Sequence, residues 1–285
     1  MKHSTLEYQS ADGTLTLHAE QFDPGQAPLT VLCLHGLTRN GRDFDSLAAH
    51  LSGRYRVVIA DQRGRGLSAW DPSPENYQIP VYVKDMTLLL ERLDIDQVVL
   101  IGTSMGGLIS MMLGAALPSR VRGIVLNDIG PEVPASGLER LRQSLTMKAD
   151  VRTWADAAAQ ARRLNGPAFP DYGEEQWQAF ARRIYRDESG RPVPAYDPAI
   201  LAGLAPPDAP VAPTLWPLWT QLQALPMLVI RGGLSDILSA EILARMAATH
   251  PHLTALTLPH RGHAPMLDEP AAVAAIDAFL KELES

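Results

Sequence analysis

The chain has 285 residues, 46% hydrophobic and 20% charged, and its 25 Lys and Arg against 32 Asp and Glu leave a formal charge of -7. That composition describes an ordered globular protein and excludes a general nucleic-acid binder or an anionic-membrane coat, both of which need a basic stripe to neutralise phosphates. The lone cysteine, Cys33, excludes an intrachain disulfide and a cysteine-built zinc cage.

The N-terminal residues lack an apolar core followed by a cleavage site, and no apolar run reaches the length of a membrane span. A cytoplasmic location is expected. Residues 6–8 and 15–19 flank Ala11-Asp12-Gly13, a hairpin signal. Short apolar runs without alternation follow at 30–34, 57–60, 98–101, 123–126, 227–230 and 253–258, the pattern of strands buried on both faces. Helical spacing marks 83–93, 108–117, 240–248 and 271–280. Strand and helix in alternation predict parallel βαβ units, whose ligands bind beyond the carboxyl ends of the strands. Residues 131–225 break the alternation. They hold Trp154, Trp177, Trp216 and Trp219, helical pieces at 154–164 and 174–185, and a proline-rich portion at 192–217. A flexible linker would not carry so many large aromatics, so this segment is expected to be a mostly helical insertion over the strand ends. Residues 1–130 and 226–285 would form the core.

The densest chemical signal is Gly102-Thr103-Ser104-Met105-Gly106-Gly107, a G-x-S-x-G match between a predicted strand and a predicted helix. Such a turn is tight enough to need glycine beside the serine, and it lifts the hydroxyl above the sheet. The Met105 amide at the helix start is then a candidate oxyanion donor. A serine needs a base held by an acid. His263 fits best, following the last strand in His260-Arg261-Gly262-His263. His260 is a competitor less freely aimed. Two acids qualify. Asp236 lies in the glycine-rich loop Arg231-Gly232-Gly233-Leu234-Ser235-Asp236, and Asp128 ends an earlier strand. Asp236 is favoured because its loop exposes it. His35-Gly36-Leu37 places the Leu37 amide as the second oxyanion donor, with His35 bonded inside its own loop. Asp61 and Arg63 are expected to pair and brace the loop 61–68, and Asp268-Glu269-Pro270 to cap the last helix. Trp154 and Trp216 are the favoured substrate contacts of the insertion, its other tryptophans with Phe169, Tyr172, Phe180 and Tyr185 are further candidates for the pocket wall, and Met266 joins Leu37 and Met105 beside the acyl group. Cys33 is expected to be a core residue. Nothing in the motifs calls for a metal or an organic cofactor.

Taken together, His35-Gly36-Leu37, Asp61 to Ser68, Gly102 to Gly107, Asp236 and Gly262-His263 resemble the α/β-hydrolase superfamily, in family order over nearly the whole chain. The resemblance implies an α/β fold, a mostly parallel eight-stranded doubly wound sheet, with 131–225 as a helical cap. It also implies a triad in the order Ser104, Asp236, His263. Dehalogenases and epoxide hydrolases of this type place aspartate where Ser104 stands. Carbon–carbon bond hydrolases of the meta-cleavage-product type usually carry asparagine and tryptophan where this chain has Thr103 and Ala264. The implied activity is hydrolysis of a small carboxylic ester or lactone by a monomer or homodimer. The alternatives are carbon–carbon bond hydrolysis, perhydrolysis, or a receptor that keeps the pocket without turnover.

Overall fold

The computed structural model describes residues 2–147, 150–203 and 214–284. Strands β1 (Lys2–Gln9) and β2 (Thr16–Asp23) form the expected antiparallel hairpin. The chain continues through β3 (Thr30–Leu34), α1 (Asp45–Leu51), β4 (Arg56–Ala60), α2 (Ile79–Arg92), β5 (Val98–Thr103), α3 (Met105–Ala116) and β6 (Val121–Asn127). After the segment 131–225 come β9 (Met227–Gly232), α8 (Ala240–Thr249), β10 (Leu253–Leu258) and α9 (Pro270–Glu282). The sheet order is β1-β2-β4-β3-β5-β6-β9-β10, with the six strands from β4 to the β10 edge mutually parallel and β2 antiparallel to both of its neighbours, β1 and β4.

The apolar runs are buried on both faces, as their lack of alternation predicts. Val31 and Cys33 of β3, Val99 and Ile101 of β5, and Leu228 and Ile230 of β9 face the layer made by α1 and α9. Leu32 and Leu34, Val98 and Leu100, and Met227 and Val229 face the layer of α2, α3 and α8. Each such side chain contributes about 1.5–3 kcal/mol by leaving water. Cys33 is among them, and burial raises its thiol far above the usual range, so it is inert packing.

Residues 131–225 contain α4 (Ala135–Thr146), α5 (Trp154–Asn165), α6 (Glu174–Ile184), β7 (Tyr185–Glu188), β8 (Arg191–Pro194) and α7 (Trp216–Gln221). Helix α5 starts in a capping box: the Asp156 amide donates to Thr153 Oγ1 at 3.1 Å, and the Thr153 amide donates to the Asp156 carboxylate at 2.9 Å. Its Ala157, Ala158 and Ala161 let Trp177 and Phe180 of α6 approach, forming a small core with Phe169, Tyr185 and Met266. The hairpin β7–β8 carries no apolar run, and so its pattern gave no strand prediction. Its turn is Ser189-Gly190, both at positive φ. The proline-rich portion lies partly outside the described residues, at 204–213. Among the described residues no helix is long and apolar enough to cross a membrane.

Candidate active site

The turn after β5 is a strained elbow. Ser104 has φ 52° and ψ -114°, a conformation non-glycine residues rarely hold. Close packing enforces it: a Cβ on Gly106 would lie 1.9 Å from the Leu34 carbonyl oxygen, and one on Gly102 would lie 2.3 Å from that of Gly106. The start of α3 therefore rests on the ends of β3 and β5, with Ser104 at the turn between strand and helix. Its amide donates to the Asn127 carbonyl at 3.0 Å, which ties the elbow to the end of β6.

His263 stands on Ser104, with Nε2 2.9 Å from Oγ. Its other nitrogen, Nδ1, lies 2.8 Å from Asp128 Oδ2. An N–H at Nδ1 donated to that carboxylate leaves the Nε2 lone pair to accept the serine proton. Asp128 follows β6 directly at φ 57° and is fully buried. It is held on every side: the Gly232 amide donates to Oδ1 at 2.7 Å, and the Ser235 hydroxyl donates to Oδ2 at 2.5 Å.

Asp236 is therefore not the acid on His263, contrary to the sequence reading. The loop after β9 turns Ser235 inward and sends Asp236 out to the guanidinium of Arg140 on α4, a pair that is about 40% exposed. Helix α4 comes this close because Gly137, one turn before Arg140, has no side chain; a Cβ there would meet the Asp236 carbonyl oxygen at 2.2 Å. Sequence reasoning missed Ser235 as the donor to the acid, although it sits beside the residue that reasoning favoured.

The Leu37 loop passes over Ser104: a Cβ on Gly36 would lie 3.8 Å from that of Ser104. His35 behaves as expected. Its Nδ1 bonds the Gly36 carbonyl at 2.8 Å and its Nε2 accepts from the Gln62 amide at 3.1 Å. Burial lowers its pKa to about 4. Arg65, which the sequence reading left without a role, contacts both residues expected to supply the oxyanion amides. Its Nε donates to the Leu37 carbonyl at 2.7 Å, and Nη2 lies 3.7 Å from Met105 Sδ.

The expected Asp61–Arg63 pair does not form. Asp61 instead takes the Gly41 and Leu67 amides and His18, while Arg63 binds Asp85, Asp71 and Asp12. Both side chains still brace the loop, through separate partners. Glu269 occupies the position before α9, but its carboxylate accepts from the Met266 amide and Arg261 Nε rather than from the helix.

Ser104 and His263 open into a cavity of about 1140 Å3. Leu37 and Met266 line it, and so do Phe169, Tyr185 and Tyr196 from the segment 131–225. Trp154 and Trp216 do not. The Trp154 indole donates to Asp187 and stacks under Arg182, and the Trp216 indole donates to Glu132 and stacks under Arg245, so both serve packing of the insertion. Among the described residues no cluster of three or more His, Cys, Asp or Glu could hold a metal ion.

Comparison with known proteins agrees with this architecture. Residues 30–270 match the family model described as alpha/beta hydrolase fold. A 3-hydroxybutyrate-oligomer hydrolase of Cupriavidus necator is 37% identical over 268 residues, 91% of this chain and 90% of that protein. A 2-(acetamidomethylene)succinate hydrolase of Mesorhizobium japonicum is 28% identical over 251 residues, 88% of this chain and 86% of that one. The crystal structure of an alpha/beta hydrolase from Novosphingobium aromaticivorans superposes with a TM-score of 0.91 at 42% identity, covering 98% of both chains.

Proposed function

The chain belongs to the α/β-hydrolase fold family, and from that premise we propose that it is a serine hydrolase of carboxylic esters working through an acyl-enzyme. The observation that carries the proposal is one histidine bonded at once to Ser104 and to a buried carboxylate, Asp128. As Ser104 Oγ attacks the ester carbonyl carbon, His263 Nε2 takes its proton. Asp128 holds the Nδ1–H tautomer and offsets the imidazolium charge. The Leu37 and Met105 amides stabilise the tetrahedral oxyanion, with Arg65 steadying both residues. His263 then gives its proton to the departing alkoxide. Water, deprotonated by the same nitrogen, attacks the acyl carbon and releases the acid and Ser104. A lactone would open by the same steps. Residues 131–225 act as the cap, because they supply much of the cavity wall away from the serine. The relative named for 3-hydroxybutyrate oligomers supports an ester substrate of the oligomeric hydroxyacid kind.

The test is labelling with a fluorophosphonate alongside hydrolysis of p-nitrophenyl butyrate. The probe should modify Ser104 alone, and Ser104→Ala should lose both labelling and at least about 10^4-fold in kcat/KM. Turnover surviving in Ser104→Ala would reject the mechanism.

A further inference from the structure

Helix α5 presents to the cavity two polar side chains, Gln160 and Arg163, that no described residue engages. Gln160 is only 8% exposed and lines the cavity, yet its carboxamide makes no hydrogen bond to any described residue. The residue is largely buried while its amide stays open to the cavity, so its donors and acceptor are free to meet a ligand or water there. Arg163 lies three residues on, which puts it on the same helix face, and it lines the same cavity. Arg163 is exposed to solvent at the cavity's edge, and its guanidinium makes no hydrogen bond or ion pair with a described residue.

The other arginines of the wall are committed. Arg39 grips Asp43 with two bonds of 2.7 and 2.6 Å, Arg140 holds Asp236, and Arg191 bonds the Val151 carbonyl at 3.3 Å and approaches Asp150 at 3.8 Å. Asp43 and Asp236 are thereby neutralised, and Glu188 lies 3.4 Å from Arg186. Among the described residues of the wall, this leaves the Arg163 guanidinium without a carboxylate partner, beside the unpartnered Gln160 amide. The same wall carries the apolar side chains Leu141, Leu164 and Ile184.

We infer that Gln160 and Arg163 form a carboxylate-binding subsite, so that the substrates are esters carrying a free carboxylate, as a short linear oligoester of a hydroxyacid does at one end. The inference rests on the ester-hydrolase reading of the same cavity. A guanidinium offers a carboxylate two parallel N–H donors and the Gln160 amide a third, and charge-assisted bonds of this kind are the strong ones. A carboxylate at position 160 would repel the same ligand; glutamine does not.

The experiment compares kcat/KM for the linear dimer and trimer of 3-hydroxybutyrate with their primary carboxamides, which differ only in the charge of the end group. Using both lengths leaves the reach to the subsite unassumed. The native protein should favour the free acid at least about tenfold for one of the lengths. Gln160→Leu and Arg163→Met should each shrink that preference, the double variant should bring it near unity, and Arg163→Lys should keep part of it. The acid-to-amide ratio comes from a single preparation, so a lower folded fraction cancels. Should a variant be inactive, calorimetry in the Ser104→Ala background reads the same loss, as a rise of about tenfold or more in Kd for the free acid on adding Arg163→Met. A native ratio near one at both lengths, or a ratio and Kd unmoved by the variants, would overturn the subsite. If that happens while p-nitrophenyl butyrate is still hydrolysed, the subsite alone fails. If the native protein hydrolyses neither the oligomers nor that ester, the ester-hydrolase reading fails and takes the subsite with it.

Discussion

Ser235 does at the acid what Asp236 was expected to do: it points inward from the loop after β9. Its hydroxyl donates to Asp128 Oδ2 while its oxygen accepts from the Ile237 and Leu238 amides at 3.1 and 3.2 Å, so one small side chain fixes both the carboxylate and the start of the following turn. Ser235→Ala should therefore lower kcat about tenfold with little change in KM, as measured by steady-state hydrolysis of p-nitrophenyl butyrate, because it loosens the acid without touching substrate. The serine and histidine were legible because each sits in a local pattern, the glycine-framed elbow and the Gly-His after the last strand. The acid was not. Two aspartates end neighbouring strands, and the choice between them depends on which way each side chain leaves its loop. The Gly137 contact and the Arg140 pair decide that, and both lie about a hundred residues away in sequence.

Among elements, the elbow is the most constrained, because α3 begins against the end of β3 with no room for a methyl group. Gly106→Ala should destabilise the protein by about 3 kcal/mol, or prevent folding, as read by denaturant unfolding; backbone lies on the other side of the contact, so no side-chain rotation relieves it. The core strands were legible for a matching reason: strands buried on both faces have to be continuously apolar. Helices α5 and α6 were also visible, through their spacing. The hairpin β7–β8 was not, since three of the four residues of β7 are exposed and no hydrophobic face marks it. The tryptophans misled for the opposite reason. Large aromatics stabilise the insertion by packing and by stacking under arginines, and only smaller neighbours such as Phe169 and Tyr185 reach the cavity.

At the scale of the whole molecule, the site is assembled from three strand ends far apart in sequence: the elbow after β5, Asp128 after β6 and His263 after β10. Anything that weakens the loops above those ends acts on global stability. His35 is the clearest case, fully buried and held neutral, with its pKa lowered from 6.5 to about 4 by burial. The unfolded chain takes up a proton near 6.5 while the folded chain does not. The stabilisation is complete above that range and is lost as pH falls from 6.5 to about 4, by about 3 kcal/mol in all. His18, whose bond to Asp61 raises its pKa, works in the other direction, so the contrast must be made within one position. Between pH 7.5 and 4 the native protein should lose about 3 kcal/mol more unfolding free energy than His35→Asn, measured by urea denaturation at each pH. The central claim is that Asp128, and not Asp236, completes the line through His263 to Ser104. It is tested most directly by measuring kcat/KM for p-nitrophenyl butyrate in Asp128→Asn and Asp236→Asn side by side. The account predicts a fall of about 10^3- to 10^4-fold for Asp128→Asn and a change within about threefold for Asp236→Asn; a large loss in Asp236→Asn with Asp128→Asn near native activity would contradict it.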